Sequence, residues 1–262
     1  MATKKITELT ETTSVINDDI LPIVTDVGGS PVTKKIKVST LFSDDIHNVA
    51  LHTALGLTGV DGWIPDSDTW VYVSSTSFKI EGKDVTSKFP KGTKIRIDQT
   101  GLKYFYVIST AFSTDTTVTV TAGDDYTIAN ATISSPSYSY ANNPLGFQHW
   151  FTWTPTGAGS GSLTFSSLTV GYAKFSISGD TLTYSLRVTG TTGGTTSTVL
   201  YATLPVNCTG IAVAQAGYVI DTTENGGWAF LNTTRVGVAW FDRRNWGIGA
   251  GRGVAASGSY QI

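Results

Sequence analysis

The side chains best suited to recognition chemistry crowd near the C-terminus, in Trp240-Phe241-Asp242-Arg243-Arg244-Asn245-Trp246, with Trp228 shortly before them. Aromatic rings stack on the apolar faces of sugars, and a guanidinium forms bidentate hydrogen bonds to hydroxyls or carboxylates. Trp228, Trp240, Arg243, Arg244 and Trp246 are therefore the candidate contacts for a surface glycan. A second reading stands beside this one. Alternation along the strand puts Val238 and Trp240 on one face, where they can be core, and leaves Asp242 to Asn245 as a charged turn.

The other reactive groups lack the partners that chemistry requires. His47 and His52 are five apart on a predicted helix and point to different faces, unlike a zinc-binding pair at i, i+4, and His149 is not poised by its context. The adjacent carboxylates Asp18-Asp19, Asp44-Asp45 and Asp124-Asp125 sit at turns or a helix start, where Asp satisfies free backbone N–H groups. Cys208 has an apolar strand context and no basic neighbour, so it reads as a small buried hydrophobe. Gly247-Ile248-Gly249-Ala250-Gly251-Arg252-Gly253 lacks the following helix and Lys-Ser/Thr ending of a phosphate loop and reads as a glycine-rich edge strand or bulge. Asp66-Ser67-Asp68 lacks the glycine and terminal Glu of a calcium loop. No catalytic residue, cofactor or metal is expected.

Composition sets the frame. The 262 residues carry only 15% charged side chains but 28 Gly, with dense Ser and Thr, which favours short strands and tight turns over long solvated helices. A net charge of −2 provides no cationic field for nucleic acid. No run approaches the ~20 apolar residues of a membrane helix, so no membrane insertion is expected. One cysteine excludes an intrachain disulfide, leaving burial and oligomerisation as sources of stability.

Three regions follow. Within the first region, 1–57, residues 1 to about 42 hold too few bulky apolar side chains for a core of their own, so Ile6, Leu9, Ile20, Leu21, Ile23, Leu41 and Phe42 are expected to pack against copies of themselves, most simply in a homotrimer, or against the next domain. Gly28 to Pro31 reads as a loop before a strand Val32 to Val38. A helix over 44–55, N-capped by Ser43, carries an apolar stripe through Ile46 and Val49 that can face a threefold axis. Residues 58–142 alternate in five strand-like runs and predict a small antiparallel β-barrel spacer. Turn-formers between Pro136 and Gly161 mark a junction. Residues 143–262 predict a C-terminal β-sandwich, with Leu182, Tyr184, Leu186 and Val188 on one face after a three-residue loop Ser178-Gly179-Asp180.

The pattern Ile6-Thr7-Glu8-Leu9, Asp18-Asp19-Ile20-Leu21-Pro22-Ile23-Val24 and Thr33-Lys34-Lys35-Ile36-Lys37-Val38-Ser39-Thr40-Leu41-Phe42 resembles the N-terminal attachment segment of bacteriophage tail fibres, tailspikes and related virion appendages. The run from Gly62-Trp63-Ile64-Pro65 to Lys94 resembles a module of phage structural proteins, and residues from about 163 to the C-terminus resemble the jelly-roll-like sandwich of tail fibres and receptor-binding proteins. The resemblance implies a homotrimeric virion protein made in the host cytoplasm. Its N-terminus would dock on tail or capsid proteins, and its C-terminal domain would attach to host cell-surface polysaccharide. A head fibre, decoration or baseplate component without receptor binding is the alternative. A glycan-degrading tailspike ranks last: its two carboxyl groups need only be ~5–10 Å apart in space, but the long β-helix of such enzymes has no repeat here.

Overall fold

The computed structural model describes residues 20–25, 32–37, 61–209, 214–221 and 223–262. The protein is mainly β among these residues, with a single 3-10 turn at Thr86–Lys88 and two curled antiparallel sheets. Strands β1 (Ile20–Thr25) and β2 (Val32–Lys37) form a separate antiparallel hairpin, Ile20 opposite Lys37 and Thr25 opposite Val32. Ile20, Leu21 and Ile23 lie in β1. Ile6, Leu9, Leu41, Phe42, Ile46 and Val49, and with them the helix expected over 44–55, lie outside the described residues.

Gly62–Ile262 is one compact unit. Its first sheet contains β3 (Ile64–Pro65), β4 (Val71–Ser74), β5 (Ser77–Ile80), β6 (Lys94–Asp98), β7 (Leu102–Phe112), β8 (Thr116–Thr121) and β9 (Ser134–Ser139). The spatial order is β3-β9-β6-β7-β8-β5-β4. The expected barrel is a half-barrel, because β3 and β4 are consecutive in the chain yet lie at opposite edges. The link between them laces the open side. Asp66 N–H donates to Pro136 O at 2.9 Å on the β9 edge. Trp70 stacks on Phe78 of β5 with centroids 4.1 Å apart, and Phe89 closes edge-on against both rings. Asp66, nearly fully buried, accepts from Trp70 Nε1 at 3.0 Å and from Lys88 Nζ at 3.0 and 3.2 Å. The pair Asp66 and Asp68 thus spends its oxygens on lysines: Lys88 Nζ also donates to Asp68 at 2.9 Å, and Lys83 binds Asp68 as well. These two lysines hold the Asp68 carboxyl below the usual carboxylate range.

The second sheet contains β10 (Phe151–Thr152), β11 (Gly157–Gly159), β12 (Leu163–Ser178), β13 (Thr181–Gly194), β14 (Val199–Thr203), β15 (Ala214–Asp221), β16 (Thr223–Asn232), β17 (Arg235–Trp240) and β18 (Gly249–Gln261). Its order is β10-β12-β13-β18-β15-β16-β17-β14-β11. The same device recurs here: consecutive β10 and β11 occupy opposite edges. Trp153, between them, donates its backbone N–H to Ala173 O on β12 and its Nε1 to Thr203 O on β14, at 3.3 and 3.0 Å. A single tryptophan therefore ties both sides of the curl. Leu182, Tyr184, Leu186 and Val188 do line the core, as their alternation predicts. The β12–β13 hairpin turns in two residues, because Ser178 pairs with Thr181 and Gly179 takes φ +59° at the first central position, the geometry of a II′ turn.

The glycine-rich terminus is not an edge strand. β18 lies between β13 and β15, and its outermost residues are bulged. Gly190 and Thr191 oppose Arg252 and Ala250, which leaves Gly251 unpaired at φ +74°. Only a residue without Cβ adopts that conformation without strain. The stretch rich in turn-formers around residue 147 is itself packed. Phe147 and Phe151 lie edge-on to Tyr106 of β7 at 5.0 and 5.4 Å, and Phe151 meets Phe175 of β12 at 6.0 Å. Each buried ring contributes about 1.5–3 kcal/mol by removal from water, which makes the two sheets share one core. Asp124 and Asp125 lace the same seam: Thr154 Oγ1 donates to Asp124 at 2.6 Å, and Thr152 donates to Asp125 through N–H and Oγ1 at 3.0 and 2.6 Å.

Candidate functional site: the outer face of the second sheet

Alternation along β16 and β17 divides the aromatic residues between two faces. Ala229, Leu231, Val236, Val238 and Trp240 point into the core, while Trp228 and Phe230 are carried on the outer face. Trp240 is 4% exposed, and Trp246 is fully buried at a ring distance of 5.9 Å from it. These two residues are corrected from glycan contacts to core. Trp246 returns to the interior because its backbone N–H bonds Ser197 O at 2.8 Å, which draws the loop after β17 back over the sheet. The indole Nε1 atoms of Trp240 and Trp246 are buried without a protein acceptor, an arrangement unsuited to a binding surface.

The outer face keeps Trp228 and Arg243 together, whereas Arg244 stacks on the core ring of Trp240. Trp228 Nε1 donates to Trp240 O at 3.1 Å, which fixes the ring against the strand. Its ring lies 5.0 Å from Phe230, and Phe230 lies 6.1 Å edge-on from Tyr201 of β14. The Phe230 and Tyr201 rings cover Gly237, where an added Cβ would come within 2.6 and 2.8 Å of them. Glycine at this position lets the two rings close over the backbone, edge-on to each other. Arg235 sits 4.8 Å over Tyr201 and Arg243 sits 5.9 Å over Trp228, so a cation flanks each end of the aromatic strip. Arg244 lies over the face of Trp240, 3.6 Å from the ring centroid, and makes a long 3.9 Å pair with Asp242.

Arg243 is held at φ +56°, in a turn closed by its N–H to Trp240 O at 3.0 Å. The left-handed region costs a non-glycine residue about 1 kcal/mol, so the turn presents this arginine at an energetic cost. Phe241, next to it, is 72% exposed and lies over Gly226, whose added Cβ would fall 2.7 Å from the ring. Phe241, Phe230 and Tyr201 went unassigned from sequence. The available signal was the glycine opposite each ring, which is visible only once the strand register is known.

The other reactive groups have structural employment. His149 lends its carbonyl to Tyr106 OH at 3.3 Å and its ring to Phe147. Cys208 is buried, with its thiol toward Asn232 O at 3.5 Å. His47, His52, Asp18, Asp19, Asp44 and Asp45 lie outside the described residues. Among the described residues no three His, Cys, Asp or Glu side chains converge as a metal site, and no helix is long and apolar enough to cross a membrane. No protein-family model, curated protein or solved structure matches the chain.

Proposed function

We propose that this chain is a phage virion structural protein, a homotrimeric tail fibre or receptor-binding appendage anchored through its N-terminus. Its C-terminal part, a single curled nine-stranded sheet where a two-sheet jelly-roll-like sandwich was expected, then attaches to host-surface glycan. The observation that carries the reading is the outer-face strip Trp228, Phe230 and Tyr201 with Arg235 and Arg243 at its ends. Rings carried on the outer face of a sheet and flanked by guanidinium groups offer the two contacts a sugar needs, an apolar face and directional donors. Three copies on one axis would add weak contacts into useful adhesion through effective concentration. Catalysis is not required for this role.

Light scattering on the full chain and on a chain lacking residues 1–57 tests assembly. A trimer that becomes monomeric on truncation is expected, and a monomer in both cases rules out the fibre. Adsorption of particles carrying Trp228→Ala with Arg243→Ala tests attachment, with loss expected; unchanged adsorption by the folded double variant rejects it. One observation favours the alternative of a purely structural head fibre, decoration or baseplate component. Phe230 and Tyr201 cover Gly237, and such a ring-over-glycine contact stabilises a sheet without any ligand.

A further inference from the structure

Three exposed aromatic rings fall on one line across the second sheet. The register sets Tyr172 opposite Arg187, Arg187 opposite Ala255, Ala255 opposite Tyr218 and Tyr218 opposite Gly226, over which Phe241 lies. Tyr172, Tyr218 and Phe241 are 43%, 56% and 72% exposed. These residues are scattered along the sequence and meet only because β12, β13, β18, β15 and β16 are neighbours. From Tyr172 to Gly226 the line crosses four strand spacings, about 19 Å, which is polymer length and not the footprint of one sugar.

The parallel row on the same face runs Lys174, Ser185, Ser257, Ala216 and Trp228. Its centre is small, as are Ala255 and Gly226 on the first row, so an extended chain can lie flat between the rings. Neither row contains an acidic residue, although the protein as a whole carries a net charge of −2. Lys174 is exposed beside Tyr172 at one end of the line, and Arg243 sits over Trp228 near the other. Asp242, next to Phe241 in the chain, faces Arg244. A peptide adding as a further strand does not fit here, because β13, β18, β15 and β16 are each already paired on both sides.

We infer that this line is a track for an anionic polysaccharide, with sugar faces on Tyr172, Tyr218 and Phe241 and the carboxylates paired to Lys174 and Arg243 at its two ends. It rests on the glycan-attachment reading above and adds the substrate class and the direction of the chain. The test titrates the full-length protein with polygalacturonate, hyaluronate and alginate, and with the methyl ester of each, which keeps the backbone and removes the charge. At least one acid is expected to bind, with its ester about tenfold weaker, the equivalent of one lost charge contact. Tyr218→Ser should weaken both forms, whereas Lys174→Gln and Arg243→Gln should shrink only the preference for the acid. Equal binding of acid and ester overturns the anionic assignment and leaves glycan attachment standing. Binding of the acid that all three folded variants retain places the site elsewhere and overturns the track. Failure of every acid, with a neutral glycan bound, also overturns it; failure of acids and neutral glycans alike removes the attachment reading as well.

Discussion

Trp246 and Phe241 are five residues apart and chemically alike, yet substituting each by alanine should differ several-fold in cost. Trp246 is fully buried, and a tryptophan side chain removes roughly 200 Å² from water, worth about 5 kcal/mol at 25 cal/mol per Å². Partial burial in the unfolded chain and the partnerless Nε1 lower that figure, so Trp246→Ala should cost about 3–4 kcal/mol. Phe241 is 72% exposed, which leaves a little over a quarter of its surface to gain, about 1 kcal/mol. Urea unfolding followed by circular dichroism separates the two. With a slope of about 2 kcal/mol per M, the midpoint should fall by about 1.5–2 M for Trp246→Ala and about 0.5 M for Phe241→Ala. Trp246→Phe keeps a ring in the slot and removes a donor that has no protein acceptor, so it should recover most of the loss. Equal midpoints for the two alanine variants, or a Trp246→Ala protein of native stability, would refute the division of this loop into core and surface.

Asp66→Ala should cost about 2–4 kcal/mol, because it strands the Trp70 N–H and leaves Lys88 with Asp68 alone, whereas Lys83→Ala at the exposed end of the network should cost under about 0.5 kcal/mol. A double-mutant cycle on Asp66 and Lys88 measures the coupling, and additive losses would show that the lacing is not cooperative. Lys94 is buried beneath the Tyr106 and Phe147 rings, and burial pushes its pKa down. Its charged form opposes folding below the shifted pKa and is relieved as pH rises toward the ordinary lysine range. Lys94→Met should therefore stabilise by about 1 kcal/mol at neutral pH, with the gain shrinking in alkali; a loss of stability in urea melts at pH 7 contradicts this. Burial also raises the phenols of Tyr184 and Tyr260 above their ordinary range. The unfolded chain loses these protons first, so stability should hold up to about pH 10 and fall above it. Tyr260→Phe, which also gives up the bond to Val206 O, should flatten that alkaline limb, read from midpoints between pH 8 and 11.

Strands were legible wherever apolar residues alternate, because a half-buried strand writes a period of two into the sequence. Ser77–Ile80, Lys94–Asp98, Thr116–Thr121 and Val199–Thr203 are strands of this kind. The long arms of β12 and β13 through Ser166 and Thr191 were not legible, since Ser, Thr and Gly carry no alternation to read. Gly217 lies inside β15, where an added Cβ would sit 2.7 Å from Ala229. A glycine that admits a neighbour and a glycine that breaks a strand look alike in one dimension.

By itself, the sequence determined that this is a β protein, that its face of Leu182 to Val188 is core, and that no disulfide stabilises it. Local alternation and composition suffice for such statements. Which of Trp228, Trp240 and Trp246 faces outward was decided by tertiary structure, because exposure depends on the strand register and on the loop drawn back to Ser197. The two laced half-barrels, the burial of Asp66 and the line from Tyr172 to Phe241 were decided in the same way. Each joins residues far apart in the chain, and only the pairing of non-consecutive strands brings them within contact distance.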